Sequence, residues 1–436
     1  MRIEFICLSE TGAQSKRFEP FPTNSLFWAV LAAQTPSSIE VVVQDENYVP
    51  LTFAGKPDLV AISVSTPSAP RAYEIGRRFR RKGAKVVYGG AHISQIQQHE
   101  DLVREPFVHG EALAVFVGDA EETWPRFLSD LANGESPAEV YTGETFDFGT
   151  RIVPKRAIYP RHGLQRLFPK VVAIESSRGC LGSCVFCCTN GRYNTKPIED
   201  ISHEVKLTRA KYYNFVDSNL GTNAEHMRLL MEVMTGKQCS WSGSAHLPSL
   251  KGKAEMLKAS GCELVYIGFE SVIPESAAEL HKPYINAEAC WTVMNELHHY
   301  GIAVVGSFVF GFDHDDDSVF ERTLEFASSV KLDDASFHIL MPYPGTEVFR
   351  KFRQEGRLKY TNYPEDWGKY SRGNVVYEPK LMSADALERG YKEVVRSFYS
   401  IRSICHRLRN PLSSKKATGI ALSNMLKWAR TRRHPG

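Results

Sequence analysis

The chain reads as α/β: a doubly wound parallel-sheet domain at residues 1–145, an irregular linker at 146–168, a partial (β/α)6 barrel at 169–350, and a helical, basic region at 351–436. Three observations predict this. Short apolar runs alternate with helix-forming stretches in two separate series, which is the pattern of parallel sheets covered by helices. A charged interval containing Pro154 and Pro160 divides the two series. From Arg402 onward there are nine Lys or Arg and no Asp or Glu, so the rest of the chain carries a net charge of −6 against +3 for the whole.

In the first series, Ile39–Val43, Leu59–Val64, Ala84–Tyr88 and Leu113–Val117 read as strands, and Pro70–Lys82 as a helix. The turns after the last three strands are small and polar: Ser63–Ser68, including Ser65, Thr66 and Pro67; Gly89-Gly90-Ala91-His92; and Gly118–Glu121. Ligands of such sheets bind beyond the carboxyl ends of the strands, so these turns suit a large ligand with polar edges.

In the second series, strands are expected at Val171–Glu175, Asn214–Asp217, Ser240–Ala245, Leu264–Phe269, Ala303–Phe310 and Ser336–Met341. Helical patterns such as Ala224–Met234 and Ala287–Tyr300 separate them. Six strand–helix units of this kind give a partial barrel with its chemistry at the carboxyl ends of the strands. The run Asp313–Asp317 lacks the Gly and distant Glu of an EF-hand and reads as a solvated loop opening a helix at Ser318.

The composition, 43% hydrophobic and 24% charged over 436 residues, is that of an ordinary globular protein. No run of about 18 apolar residues indicates a membrane span, and the start does not resemble a secretory signal, so a cytoplasmic location is expected. Nucleic acid is an unsuitable partner, because the charge is near neutral and no known binding module is present.

Nine cysteines are an odd count, and four crowd into 180–188. A secreted disulfide framework would spread them over a much shorter chain. The segment Ser177-Arg178-Gly179-Cys180-Leu181-Gly182-Ser183-Cys184-Val185-Phe186-Cys187-Cys188 follows the first strand of the second series. Three thiolates spaced C-x3-C-x2-C can hold three irons of a [4Fe–4S] cube and leave the fourth open, whereas electron-transfer cubes use four cysteines. Gly179 and Gly182 allow a tight loop. The alternatives are a structural zinc site completed by Cys188, and Cys188 in place of Cys187 as the third ligand of the cube.

With an aromatic residue before its last cysteine, this loop resembles that of the radical SAM superfamily. Gly268–Ser271, Phe308–Phe312 and Pro342–Thr346 look like later strand ends of that superfamily. The resemblance implies a TIM-like barrel carrying a [4Fe–4S] cluster on Cys180, Cys184 and Cys187. S-adenosylmethionine (SAM) would chelate the open iron and be cleaved to a 5′-deoxyadenosyl radical, with electrons from an external donor such as flavodoxin or ferredoxin. It further implies SAM contacts from Phe186, Asp217, Ser218, Asn219, Ser242, Ser244, Glu270, Ser271 and Phe308. Glu270 is placed to accept ribose hydroxyls.

Asp58–Ala72, Gly89–His92 and Gly118–Trp124 resemble the Rossmann-like cobalamin-binding domain fused to many radical SAM enzymes, the hopanoid C-methylases among them. That resemblance implies cobalamin contacts from Ser65, Thr66, Pro67, Gly89, Gly90, His92, Gly118 and Glu121. The Asp-x-His-x-x-Gly motif that supplies a lower ligand is absent from 1–145, which leaves the lower face of the cobalt unassigned.

Cobalamin-dependent C-methylation of a lipid or secondary metabolite is the first functional expectation. A radical SAM oxidoreductase, dehydratase or lyase with a vestigial, empty first domain is the alternative. His246, His338 and Tyr343 lie near strand ends and could face a small-molecule or lipid substrate. The basic helix around Leu422–Arg433 could rest on an anionic membrane surface or pack on its own domain.

Overall fold

The computed structural model describes residues 1–9, 25–144, 146–159, 171–189, 192–282, 287–407 and 423–429. They form two compact units, Met1–Ala173 with Pro342–Ser371, and Ile174–Met341 with Arg372–Gly436.

The first unit is built on six parallel strands: β1 (Arg2–Cys7), β2 (Glu40–Asp45), β3 (Leu59–Ser63), β4 (Lys85–Gly89), β5 (Ala114–Val117) and β6 (Val140–Thr142). Their order is β2-β1-β3-β4-β5-β6, with Phe5 in register with both Val43 and Ala61. The order reverses at β1, which makes the gap between the ends of β1 and β3 the topological switch point. The sequence reading missed β1 because Glu4 interrupts its apolar run; here Glu4 is buried and accepts from Gln44 Nε2 at 2.7 Å.

Helices cover both faces. On one, Phe5 stacks on Trp28 of helix Leu26–Gln34 with centroids 4.4 Å apart, and Phe116 meets Phe127 of helix Thr123–Ala132 edge-on at 5.4 Å. On the other, Tyr73 of helix Ala69–Arg80 meets Tyr88 edge-on. Each such burial removes enough apolar surface to stabilise the unit by about 1.5–3 kcal/mol.

Two boundaries differ from the sequence expectation. Phe146, Phe148 and Tyr159 are buried, and Tyr159 joins the core of the first unit, so the described part of the expected linker packs as domain structure. The rest, 160–168, lies outside the described residues. Residues 351–371, read as the start of a carboxyl-terminal region, also belong to the first unit. The physical reason is aromatic. Trp367 is fully buried and its indole N–H donates to both oxygens of the buried Glu105 at 3.1 Å. Phe349 packs edge-on against His99, whose Nε2 accepts from the Gly345 N–H at 3.1 Å.

The second unit holds β7 (Val171–Ile174), whose last residue begins the unit, then β8 (Ser177–Gly179), β9 (Tyr193–Thr195), β10 (Tyr212–Phe215), β11 (Ser240–Ser244), β12 (Cys262–Glu270), β13 (Ala303–Phe310) and β14 (Asp334–Ile339). Six of them form one sheet in the order β14-β13-β12-β11-β10-β7, and β8 pairs antiparallel with β9 as a separate ribbon. The side chains alternate. Val265, Ile267 and Phe269 are buried, whereas Tyr266, Gly268 and Glu270 are partly or well exposed. The six expected barrel strands are all present with ends shifted by a residue or two, and helix Ala224–Met234 matches its expected range.

The acidic run after β13 is not simply a solvated loop. Asp315 is fully buried, accepting from Gly311 N–H at 2.9 Å, Phe312 N–H at 3.1 Å and Ser276 Oγ–H at 2.7 Å. Asp313 pairs with Lys380 at 2.7 Å. His314, Asp316 and Asp317 are exposed as expected, and Asp316 accepts from the Ser318 N–H at the helix start.

The tail helix, described over 423–429, packs on its own unit. Lys427 Nζ lies 2.7 Å from Asp334 Oδ2, and buried Asn424 accepts from Arg407 at 2.7 Å. These polar groups make contacts within their own unit; Leu422 and 430–433 lie outside the described residues. Among the described residues no helix is long and apolar enough to cross a membrane.

Replacing Trp367 by Phe leaves the Glu105 carboxylate buried with fewer donors, a loss of about 1–3 kcal/mol. Denaturant unfolding of the full chain should register that loss, and limited proteolysis should cut 342–371 sooner. An unchanged unfolding midpoint and cleavage rate would overturn the role given to this contact.

Candidate functional site

The cysteine loop leaves the sheet after β7 and is closed at its neck by the β8–β9 ribbon, in which Gly179 pairs with Tyr193. Gly179 has φ +84°, and a Cβ there would lie 1.6 Å from the Arg192 carbonyl oxygen. Only glycine fits. Inside the neck, Cys180 N–H donates to Arg192 O at 3.1 Å and Cys187 N–H to Cys184 O at 3.0 Å.

The sulfurs of Cys180 and Cys187 meet local donors. Gly182 N–H points at Cys180 Sγ at 3.3 Å, and Thr189 brings both its hydroxyl (3.1 Å) and its N–H (3.5 Å) to Cys187 Sγ. Cys188 is exposed. Thr189 thus brings a hydroxyl and an N–H donor to Cys187, a surrounding of the kind a cluster thiolate uses, since hydrogen bonds to sulfur set the potential. Gly182 lies over two sulfurs, where a Cβ would be 3.4 Å from Cys180 Sγ and 4.0 Å from Cys184 Sγ. Among the described residues no three His, Cys, Asp or Glu side chains converge to hold a single ion. A cube, by contrast, takes one thiolate at each of three corners. Three thiols carried on one glycine-closed loop are the donor type such a cube takes.

Opposite Cys184 stands a cation that the sequence reading missed. Lys282 Nζ bonds Gly268 O at 2.8 Å and Glu270 Oε1 at 2.9 Å, and His281 Nδ1 lies 3.2 Å from Ser183 O on the cysteine loop. Burial raises the Cys184 thiol pKa, and the Lys282 charge opposes that rise. Glu270 reaches Lys282 from a left-handed residue, φ +63°, and a Cβ on Gly268 would strike Glu270 Oε1 at 2.1 Å. The G-F-E motif thus makes room for this ion pair. Nothing in the sequence marked Lys282, because the pair closes across a helix and a turn.

Several expected SAM contacts instead serve their own backbone. Asp217 is buried and accepts from Ser176 N–H at 3.0 Å and from the hydroxyls of Ser176 and Ser177 at 2.6 Å each. Its pKa is raised by burial, against the pull of these donors. Asn219 Oδ1 accepts the N–H groups of Gly221 and His246, both at 3.0 Å. Ser242 is buried and donates to Asn214 Oδ1 at 2.9 Å, while Ser271 is buried and accepts from Ile273 N–H at 3.1 Å. Phe308 is fully buried between Phe269 and Phe337 in the core, because its side chain alternates to the helix-covered face. Ser218 is exposed, and Ser244, Phe186 and Glu270 are partly so, which leaves these four open to a ligand.

In the first unit, Ser65, Gly89, Gly90 and Gly118 lie at partly or well exposed ends of β3, β4 and β5. Gly90 (φ +99°) and Gly118 (φ +75°) are held where a Cβ would meet Val64 backbone or Gly143 O. The other four expected contacts are buried. Thr66, Pro67 and Glu121 shape the turns, and His92 has no exposed surface at all. His92 Nδ1 sits 3.2 Å from Thr66 Oγ1 and its ring meets Trp367 edge-on at 5.3 Å. Burial holds its pKa below the ordinary value. His92 is corrected from a cofactor contact to a core residue.

Residues 174–327 match the radical SAM superfamily model, so the chain carries a radical SAM domain. Such a domain implies a [4Fe–4S] cluster, SAM and an electron donor. A bacteriochlorophyllide d C-12(1)-methyltransferase of Chlorobaculum tepidum is 27% identical over 406 residues, covering 89% of this chain and 84% of that protein. The hopanoid C-2 methylase of Rhodopseudomonas palustris is 23% identical over 57% of this chain and 48% of that one. Among solved structures, the radical SAM methyltransferase TsrM of Kitasatospora setae, with tryptophan and a SAM analogue bound, matches with TM-score 0.67 at 14% identity. It covers 99% of this chain and 97% of that one. The radical enzyme OxsB, with aqua-cobalamin and SAM bound, matches with TM-score 0.66 at 14% identity over 98% and 72%. These structures share the whole-chain architecture, and the chain is an enzyme related to methyltransferases.

Gly179→Ala should prevent the neck from closing. Anaerobic reconstitution of that variant is expected to give less than about half the iron and sulfide of the parent chain, since a left-handed non-glycine residue alone costs about 1–2 kcal/mol. Full loading would contradict the neck's role.

His338 has its pKa lowered from 6.5 to about 4, first by burial and then by the Arg372 charge. The unfolded chain therefore takes up this proton before the folded one. The stability contribution is fully present above about pH 7 and is lost as pH falls toward 4, on the order of 3 kcal/mol for the complete shift. Denaturant midpoints between pH 7 and 5 should fall less steeply for His338→Gln than for the parent. Parallel slopes would argue against a neutral, half-buried His338.

Proposed function

We propose that this chain is a cobalamin-dependent radical SAM C-methyltransferase acting on a polycyclic, largely apolar lipid or secondary metabolite. The observation that carries the reading is the span of the match to the bacteriochlorophyllide methyltransferase. At 89% of this chain and 84% of that protein, it reaches far beyond 174–327 and extends into the first unit. Relatives acting on a bacteriochlorophyllide and on a hopanoid support the polycyclic substrate class. The doubly wound first unit, with open turns at the ends of β3, β4 and β5, is suited to a large ligand such as cobalamin, and the similar enzyme OxsB has aqua-cobalamin bound in its solved structure.

When bound, the cluster and SAM supply a hydrogen-abstracting 5′-deoxyadenosyl radical, and cobalamin supplies the methyl group. The chain's own residues do the rest. Cys180, Cys184 and Cys187 hold three irons on a neck-closed loop. Lys282 fixes one oxygen of Glu270, whose other oxygen keeps acceptor capacity for ribose hydroxyls. Ser218, Ser244 and Phe186 complete the SAM surface. Gly89, Gly90 and Gly118 let backbone approach the corrin edge without side-chain hindrance, and Ser65 offers a hydroxyl there. Flavodoxin or ferredoxin supplies the electrons.

A second reading has one supporting observation. An anaerobic magnesium-protoporphyrin IX monomethyl ester cyclase of Cereibacter sphaeroides is 23% identical over 80% of this chain and 61% of that protein. Oxidative ring closure would use the same radical without methyl transfer.

Anaerobic purification from cells supplied with hydroxocobalamin separates the two readings. Methylation requires iron, sulfide and cobalt on the same chain. With bacteriochlorophyllide d as the first probe, it requires S-adenosylhomocysteine and 5′-deoxyadenosine in similar amounts. Iron without cobalt would sink the methylation mechanism. Cys184→Ala is expected to lower 5′-deoxyadenosine formation at least 100-fold under reducing conditions, and retained cleavage would overturn the cluster assignment.

A further inference from the structure

Behind the cysteine loop, polar side chains that the proposed chemistry does not use converge on one residue. Ser176 stands between β7 and β8, at the root of the loop, and is fully buried. Its N–H donates to Asp217 Oδ2 at 3.0 Å and its hydroxyl to Asp217 Oδ1 at 2.6 Å, while the Ser177 hydroxyl donates to the same Oδ1 at 2.6 Å. Its carbonyl oxygen accepts twice, from His226 Nε2 at 2.9 Å and from Lys196 N–H at 2.9 Å.

These partners come from three separate places. Asp217 follows β10. His226 lies in the first turn of helix Ala224–Met234, whose start is capped by Asn223 accepting the His226 N–H at 3.0 Å. Lys196 is the residue that follows β9, on the returning side of the cysteine loop. One residue thus ties the outgoing and returning ends of the loop to the sheet and to a helix. Asp217 is 3% exposed and each of its oxygens is already engaged. Buried polar networks of this kind hold a geometry firmly because breaking one bond strands the others.

We propose that Asp217 and His226 are positioning residues that fix the root of the cluster-binding loop, and that Asp217 is engaged by this loop instead of by the amino group of SAM. The inference rests on the reading that Cys180, Cys184 and Cys187 hold the cluster. It predicts that loosening the root lets the three thiolates drift and makes the cluster labile, without removing SAM from the clusters that survive.

The test uses the full chain reconstituted anaerobically. Asp217→Asn keeps the size but replaces one acceptor oxygen with a donor. Expected are at least threefold lower iron and sulfide per chain, or at least fivefold faster iron loss to a chelator. The reduced clusters that remain should still change their electron paramagnetic resonance signal when SAM is added. A variant that keeps iron like the parent overturns the inference; if it also loses the SAM-dependent change, Asp217 is a SAM contact.

Should Asp217→Asn fail to fold by circular dichroism, His226 decides. His226→Gln retains an N–H donor for Ser176 O and should load like the parent, whereas His226→Phe should load threefold less. Equal loading of these two overturns the proposal. A parent chain that takes up no iron–sulfur cluster refutes the cluster reading itself, which keeps the two failures distinct.

Discussion

All strands within each six-stranded sheet run in the same direction, and the rest of the molecule depends on that constraint. Parallel strands need crossovers, and helices supply most of those here, burying Phe, Trp and Tyr against the sheet faces, while β2 reaches β3 through a loop. Because every crossover returns the chain to the same starting edge, the strand ends gather at the opposite edge. In the second unit that edge collects the roots of the cysteine loop, Asp217, Asn219, Ser244 and Glu270. In the first it collects the turns after β3, β4 and β5.

Gathering the ends does not fix what they do. At the edge of the second sheet, most polar side chains nearest the strands are consumed in holding backbone. Asp217 holds the root of the loop, Asn219 holds two N–H groups, and Ser271 caps the turn before Ile273. Backbone that leaves a sheet carries donors and acceptors that water cannot reach, and these must be satisfied locally. The groups left for ligands lie further out: three thiols on a closed loop, and a Glu270–Lys282 pair assembled from the end of β12 and the turn that follows helix Pro274–Glu279. Supporting residues sit under functional ones, and both are polar, so composition alone cannot separate them.

The first unit makes the same point through burial. His92 and Glu105 are titratable and sit near strand ends, yet both are inside, shielded by Trp367 from a segment more than 250 residues away in sequence. A tryptophan that reaches a buried carboxylate needs that long return of the chain, and no local pattern announces it. Lys427 and Asn424 show the converse: the tail that looked available for an outside surface is engaged by Asp334 and Arg407.

By itself the sequence determined the fold class, the strand–helix alternation of both units and the place of the cysteine loop after the first strand of the second series. These follow from periodicity and spacing, which are local properties. It missed β1, where Glu4 broke the apolar run, and it could not choose between Cys187 and Cys188. Only the tertiary structure decided that Thr189 lies against Cys187, that Lys282 faces Glu270, that Asp217 and Phe308 face inward, and that 342–371 belongs to the first unit. Each of those outcomes depends on contacts between residues distant in sequence or on which way a side chain turns, and packing sets both.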